Sequence, residues 1–302
     1  MRKLGSAFAI DKKNMVNNCL SFDIEGFIES NLQSFHIDNK YISKSNEIYE
    51  IEKNVNSILN LLDDLNIKAT FFILGRIGRD IPHVVKETAR YGHEIACHSF
   101  VHHRIFGMTQ EEFKKGLTYA KKTLEDISGN RVCGFRAPDF SITKSSLWAL
   151  DILQETGFLY DSSIYPIGMH DVYGIGSAKH HIHRLPNGLV EFPPSVVEVF
   201  GRRFPFGGGG YYRLYPLILT KYLTSKENEL GHPCMLYIHP YEVGPVIPYI
   251  TGLSYYRKFR HYYHCKHGGK RLRTLLKAFN FCTAAEILKE TGLESELSGL
   301  QS

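Results

Sequence analysis

The stretch EIACHSFVHH, from Glu94 to His103, contains three histidines within six positions. His98 and His102 are separated by three residues, so one helical turn or one loop can present both imidazoles on the same side. Such a pair is more often structural than metal-binding when it stands alone. It becomes a candidate metal site when the chain also supplies a carboxylate ligand and groups that can transfer protons.

Charged side chains also follow other strand-like runs. Asp23 and Glu25 end the run CLSFDIE, Arg136 follows VCGF, and His239 follows MLYI. Separately, each has an ordinary explanation, such as a helix N-terminal acid, an ion pair or a turn. Because the carboxyl ends of parallel strands meet at one edge of a sheet, we expect these groups to come together there.

The combined set has the composition of a hydrolytic centre. Two imidazoles and one carboxylate make a three-ligand site with an open position, which is typical of a catalytic divalent metal. A second carboxylate can accept a proton from water, and a further histidine can donate one to a leaving group. These residue types therefore indicate a metal-dependent amide or ester hydrolase.

Strand-like and helix-like segments alternate along the first two-thirds of the chain. Apolar runs predict strands at 19–25, 68–74, 93–97, 132–135 and 235–239. Three- and four-residue apolar spacing or capping signals predict helices at 45–65, 81–92, from residue 109, at 145–156 and around 215–229. This βαβα order predicts an α/β fold with a mostly parallel sheet that is closed or nearly closed into a barrel.

The C-terminal part has a different pattern. Residues 244–268 are rich in Tyr, His, Arg and Gly without a clear period, which predicts an ordered loop or flap. Two helices should follow, the last one starting with the capping box from Thr283 to Glu286. We therefore predict one domain over residues 1–302, with a C-terminal extension at about 244–302 packed on the barrel.

Composition limits the class of protein. The formal charge is +5 and the pI is near 8.7, which favours an anionic partner but, without a binding motif, not nucleic acid. The N-terminal apolar run is too short for a secretory signal, and we find no transmembrane segment. The six cysteines form no CxxC pair. These features predict a cytoplasmic, reduced protein.

Several motifs together resemble a known family. They are SFDIEGF (21–27), HEIACHSFVHH (93–103), FRAPDFSI (135–142), YDSSIYP (160–166), LYIHPYE (236–242), PFGGGGYYRLYP (205–216) and KRLRTLLKAFNFCTAAEIL (270–288). The chain resembles the polysaccharide deacetylases, the NodB-homology domain of carbohydrate esterase family 4. It is most similar to a branch with a C-terminal extension found in bacterial exopolysaccharide gene clusters. The resemblance implies a distorted (β/α)7-type barrel with a C-terminal helical extension.

The resemblance also implies a metal site. His98 and His102 match the metal-binding histidines of the family, and His103 is a bystander. Many relatives have two adjacent aspartates in the first motif, the second of which binds metal, whereas this chain has Asp23-Ile24-Glu25. Glu25 is our candidate for the third ligand. The expected cofactor is a divalent metal, Zn²⁺ before Co²⁺, Mn²⁺ or Ni²⁺.

The same comparison assigns catalytic roles. Asp23 matches the base that deprotonates metal-bound water, Arg136 the arginine that orients this base, and His239 the acid that protonates the leaving amine. Asp161 of YDSS matches an acid that tunes the catalytic histidine. The implied reaction removes N-acetyl, or O-acetyl, groups from a sugar or polysaccharide.

Four further residues are candidates for substrate binding. Asp139 and Phe140 follow Pro138, where the family offers a backbone N–H to the oxyanion. Tyr211 and Tyr212 follow the Gly207–Gly210 run, which lacks the spacing of a phosphate loop. The glycines either let the backbone pass close to the sugar or a neighbouring loop, with the tyrosines as stacking platforms, or form a tight turn beside core tyrosines.

The basic segment at 255–273 is a further candidate for ligand binding. It combines lysines, arginines and histidines with tyrosines, which suits an anionic or lipid-linked glycan. A charged helix face and a solvated loop would explain much of the same pattern. Two other functions stay open from the residues. One is a barrel amidohydrolase acting on a small cyclic amide or ureide, and the other is a non-catalytic glycan-binding protein.

Overall fold

The computed structural model describes residues 16–35, 44–168, 173–251 and 253–293. The expectation about a leader at the N-terminus, and the last residues of the predicted extension, lie outside these ranges. Within the described part of the chain, no helix combines the length and apolar character needed to cross a membrane. The cytoplasmic location stays a prediction.

The strands are short and mostly buried. In chain order they are β1 (Asn17–Ile24), β2 (Thr70–Ile73), β3 (Glu94–Cys97), β4 (Gly134–Phe135), β5 (Tyr160–Asp161), β6 (His183–Arg184), β7 (Val190–Glu191), β8 (Val196–Val199), β9 (Arg202–Pro205), β10 (Met235–Ile238) and β11 (Asn280–Cys282). The five strands predicted from apolar runs correspond to β1, β2, β3, β4 and β10.

Among the described residues, one sheet contains all the strands except the β8–β9 hairpin. Its order is β10-β1-β2-β3-β4-β5-β7-β6, with β11 paired to β1. Every pairing is parallel except that between β6 and β7. The hydrogen-bonded path ends at β10 and β6, so the curled parallel sheet is a distorted barrel, as predicted.

Helices connect the strands and cover the sheet. They are α1 (Phe27–Phe35), α2 (Lys44–Asp64), α3 (Gly75–Asp80), α4 (Pro82–Arg90), α5 (Gln110–Ser128), α6 (Trp148–Glu155), α7 (Gly209–Leu214), α8 (Leu217–Glu229), α9 (Pro240–Val243), α10 (Tyr255–Tyr262), α11 (Gly268–Leu276) and α12 (Ala284–Glu290). The capping boxes predicted at Thr109 and Thr283 are both present, at the starts of α5 and α12.

The main core lies between the sheet and its helices. In β1, every residue after the first is buried, as expected for a central parallel strand covered on both faces. Residues from α2, α4, α5 and α6 pack against the same cluster. This packing holds the sheet rigid, so the ends of its strands are well placed to carry functional side chains.

The C-terminal region corrects one prediction. The segment expected to be a loop or flap contains the helix α10, which starts at the N-cap Ser254. Tyr255, Tyr256 and Phe259 are largely exposed, and the helix is rich in charged and polar side chains. The end of the extension is joined to the sheet, because β11 pairs with β1 and the backbone N–H of Ala284 donates to Thr70 Oγ1 at 2.8 Å.

Candidate active site

The polar groups predicted to meet do lie at one edge of the sheet. Asp23 and Glu25 lie at the carboxyl end of β1, His98 directly follows β3, and His239 directly follows β10. With His102 they line one cavity of about 590 Å³. His103 is exposed and does not line it.

Glu25, His98 and His102 form a compact, buried donor set. Their ligand atoms all lie within 4.8 Å of one another. Glu25 Oε2 is 2.7 Å from His102 Nε2 and 3.4 Å from His98 Nε2. Yet this buried oxygen has no well-directed hydrogen bond from either ring. Glu25 Oε2 therefore faces two imidazole nitrogens, but neither nitrogen directs a proton at it. This arrangement fits a cation held between the three atoms better than it fits a set of hydrogen bonds.

The second nitrogen of His98 supports the same interpretation. Its Nδ1 lies 2.7 Å from the backbone carbonyl oxygen of Arg136, which can only accept a hydrogen bond. A proton on Nδ1 leaves the Nε2 lone pair directed toward Glu25. Metal-binding histidines are commonly oriented in this way. The donor set of two nitrogens and one carboxylate therefore fits a divalent metal with open positions.

Asp23 is held by a fully buried arginine. Arg136 donates from one terminal nitrogen to Asp23 Oδ1 at 2.6 Å and to Ser21 Oγ at 2.9 Å. Its other terminal nitrogen donates to Ser162 Oγ at 3.0 Å, and its guanidinium lies 4.0 Å from the centre of the Phe72 ring. These contacts leave the guanidinium a single orientation and hold the Asp23 carboxylate in the cavity wall.

A second ion pair, not expected from the sequence, holds His239. Glu242 Oε2 lies 3.1 Å from His239 Nδ1, and Glu242 Oε1 accepts from Arg213 Nε at 2.6 Å. Glu242 and Arg213 are both buried. Burial raises the pKa of Glu242, but Arg213 and His239 outweigh it and lower this pKa to about 2. Glu242 is therefore a permanent anion behind the imidazole.

Arg213 also anchors the C-terminal extension to this pair. One terminal nitrogen donates to the backbone carbonyls of Arg260, His261 and Tyr263, at 3.1, 3.0 and 3.1 Å. The end of α10 is thus fixed to the carboxylate that contacts His239. Glu242 could have been suspected because it is three residues after His239, a capping-box position, whereas nothing in the sequence connects Arg213 to it.

Asp161 does not have the position expected of a residue that tunes His239. Its carboxylate accepts from Ser163 Oγ at 2.5 Å and from Ser163 N at 3.2 Å. Burial raises its pKa to about 6, and Glu191 is its neighbour. Asp161 thus bonds within its own loop, whereas Glu242 Oε2 lies 3.1 Å from His239 Nδ1.

Three of the four substrate-binding candidates line the cavity, and the fourth does not. Asp139, Phe140 and Tyr211 are among its walls. Asp139 and Phe140 have φ values of 52° and 50°, a strained conformation for residues other than glycine that is common at functional sites. Tyr212 is instead buried and donates to the Gly268 carbonyl oxygen at 2.8 Å, so it is not a stacking platform.

The glycine run allows close packing around the acid. A Cβ atom on Gly209 would overlap the Glu242 carboxylate, and one on Gly208 would overlap the Tyr237 hydroxyl. The run therefore permits α7 to approach β10 and α9 directly. This agrees with a close approach to neighbouring elements rather than with a phosphate loop.

The fold and the site together define a class of protein. A distorted parallel barrel with a His₂Glu donor set, a buried Asp–Arg pair and a histidine facing them has the features of a metal-dependent hydrolase. Residues 38–159 match the family model described as polysaccharide deacetylase, and residues 162–289 match one described as a domain of unknown function, DUF3473. Residues 38–159 are thereby assigned by similarity to the polysaccharide deacetylase family.

Individual relatives agree with this assignment. The peptidoglycan-N-acetylglucosamine deacetylase of Bacillus cereus is 30% identical over 95 residues, which cover 31% of this chain and 34% of the relative. The chain spans at most 37% of the length of the first three curated relatives that it matches. These matches therefore describe a shared segment and not whole proteins.

Solved structures agree on the fold. A crystal structure from Mycobacterium smegmatis that carries the polysaccharide deacetylase name has a TM-score of 0.64 at 21% identity, covering 97% of this chain and 96% of that one. Puue allantoinase has a TM-score of 0.58 at 14% identity, covering 90% and 89%. At such identities the likeness shows the barrel alone, because one fold can carry different chemistries at its site.

Proposed function

We propose that this protein is a metal-dependent hydrolase that removes N-acetyl groups from a sugar or glycan. One observation carries the proposal. A buried His₂Glu donor set lies in the same cavity as Asp23, held by Arg136, and His239, held by Glu242. The cavity thus contains a cation site, a proton acceptor and a proton donor within reach of one substrate group.

The metal would be held by Glu25, His98 and His102, and we propose Zn²⁺, since imidazole nitrogens suit a borderline cation. When bound, such a cation supplies a Lewis acid for the acetyl carbonyl and lowers the pKa of water to about 7. The chain's own residues then have to orient the substrate and carry the protons.

Asp23 is the proposed base. Its Oδ1 is occupied by the Arg136 guanidinium at 2.6 Å, and this contact fixes the plane of the carboxylate. Asp23 accepts one proton from the attacking water as the new C–O bond forms at the acetyl carbon. A base fixed in this way requires little reorganisation during the reaction, which favours turnover.

His239 is the proposed acid. Its Nδ1 faces the permanently ionised Glu242, so the proton on Nδ1 stays engaged, and Nε2 lies 3.1 Å from Glu25 Oε1, beside the proposed metal site. Protonated His239 donates from Nε2 to the sugar nitrogen as the C–N bond breaks, releasing acetate and a free amine. Glu242 and Arg213 act through His239 and are positioning residues in this proposal.

The proposal is tested by acetate release from N-acetylglucosamine oligomers by Zn²⁺-loaded protein, with Asp23→Asn as the inactive control. Allantoin tests the amidohydrolase alternative in the same preparation, through ring opening. Acetate release that depends on Zn²⁺ and on Asp23 supports the proposal. Ring opening without acetate release would assign the protein to the alternative class.

A further inference from the structure

The wall of the cavity formed by α10 has a distinct composition. Tyr256, Phe259 and Arg260 all line the cavity. They lie at positions i, i+3 and i+4 of the helix, which share one face. Tyr256 is 71% exposed and Phe259 is 54% exposed, so both present rings to solvent at the mouth of the cleft instead of packing in the core.

Arg260 is also the one arginine of the cavity wall without a carboxylate within ion-pair distance among the residues that the structure describes. Arg104 is paired with Asp139 at 2.7 Å, and Arg213 with Glu242 at 2.6 Å. Asp23 is neutralised by Arg136, and Glu25 belongs to the proposed metal site. The outer cleft therefore retains one uncompensated positive charge.

The backbone that carries this charge is fixed relative to the reacting centre. The backbone carbonyl of Arg260 accepts from Arg213, which binds Glu242, which in turn contacts His239. The helix is therefore held against the proposed acid by buried contacts. A group bound at Arg260 lies along the cleft from the acetamido group that would be cleaved.

We propose that Tyr256, Phe259 and Arg260 form a subsite for an anionic part of the glycan, next to the acetylated sugar. The C–H face of a pyranose ring packs on an exposed aromatic ring, and a guanidinium binds a carboxylate or phosphate through two parallel hydrogen bonds. Both anions share this chemistry. A uronic acid residue fits best because the aromatic side chains can pack on the face of its pyranose ring. This inference rests on the proposed function of the site.

The test measures affinity, so that it does not depend on turnover. Zn²⁺-loaded Asp23→Asn protein is titrated with an oligosaccharide of alternating N-acetylglucosamine and glucuronic acid, and with its methyl ester, which has the same rings and no charge. An ion pair accessible to solvent contributes up to about 1 kcal/mol, so the acid should bind about fivefold more tightly than the ester.

Adding Arg260→Gln to the Asp23→Asn protein should reduce the ratio of the two affinities, acid to ester, to about one. Adding Lys258→Gln instead should leave this ratio unchanged. Lys258 is on the same helix but does not line the cavity. Arg260 is exposed, so the substitution leaves the core intact. Tyr256→Ala should weaken the binding of the acid and of the ester equally, because ring stacking does not depend on the carboxyl charge.

A third ligand, an N-acetylglucosamine oligomer with a terminal phosphate, identifies the anion. If only this ligand shows a preference that depends on Arg260, the subsite takes phosphate. If no ligand shows such a preference, the inference is wrong. Acetate release from the neutral oligomer by the wild-type protein is measured separately, so failure of the proposed function is recorded independently of the binding result.

Discussion

The Glu242–Arg213 pair gives the sharpest test of how the site is built. Replacing Glu242 with Gln keeps the shape of the side chain and removes its charge. His239 loses the anion 3.1 Å from its Nδ1, but its ring still stacks on Tyr241 at 5.5 Å between centroids. Loss of a whole proton-transfer group costs about 10²- to 10⁴-fold in rate, so loss of its orienting partner should lower kcat by about 10- to 100-fold.

The same substitution should destabilise the fold. Buried Arg213 would keep its three carbonyl acceptors but lose its anion. Breaking one side of a buried ion pair costs about 3–5 kcal/mol, and the amide oxygen of Gln can still accept from Nε, so we expect about 3 kcal/mol. Urea unfolding measures this loss. Metal content should stay at the wild-type value, because Glu25, His98 and His102 are unchanged.

A matched control separates positioning from stability. Glu94 is a carboxylate at the opposite end of β3 that accepts from Thr70, Tyr160 and the backbone of Ala285. Glu94→Gln should lower the free energy of unfolding without lowering kcat. An activated acetate ester, whose leaving group needs no proton, should restore most of the activity of Glu242→Gln. Wild-type kcat in Glu242→Gln, or an equal loss in both variants, would refute the positioning role.

Three further predictions follow from the site and the core. His98→Ala or His102→Ala should lose stoichiometric Zn²⁺ by elemental analysis, and Glu25→Ala should weaken binding less; one metal per chain in His98→Ala would contradict the assignment. Asp23→Asn and His239→Ala should both retain metal, with kcat abolished in the first and reduced about 10²- to 10⁴-fold in the second, and an activated ester should rescue only His239→Ala. His93 is buried, and this burial lowers its pKa to about 4. The pKa of His93 in the folded state therefore lies below the unfolded value of about 6.5. The contribution of His93 to the free energy of unfolding is complete above pH 6.5, and up to about 3 kcal/mol of it is lost as the pH falls toward 4. In urea unfolding, the free energy of unfolding of His93→Asn should fall less over this pH range than that of the wild type. The same dependence on pH in both proteins would contradict this prediction.

Much of the architecture is encoded locally and was predicted. β1 is a nearly continuous buried run, and α5 begins at a side-chain cap four residues before its first core phenylalanine, Phe113. Such signals depend only on neighbours in the sequence. Because parallel strands end at a common edge, the same pattern also predicted that Asp23, Glu25, His98, Arg136 and His239 would meet, although their individual roles stay proposals.

The errors have a common physical origin. Residues 255–262 were expected to be irregular, but they form α10, whose Tyr255, Tyr256 and Phe259 are exposed. Tyr212 was expected to face substrate, but its hydroxyl bonds to Gly268, far along the chain. Asp161 was expected beside His239, but the carboxylate of Glu242, three residues further along the chain, contacts this histidine instead.

The sequence by itself determined the alternating fold and the identity of the residues at the carboxyl edge, because both follow from local periodicity and from the direction of parallel strands. The tertiary structure alone decided which charges are paired. Arg213 reaches Glu242 across 29 positions, and Arg136 reaches Asp23 across 113. A buried charge needs a partner, but many partners satisfy that need equally well, and only the packing of strands and helices brings one of them within 3 Å.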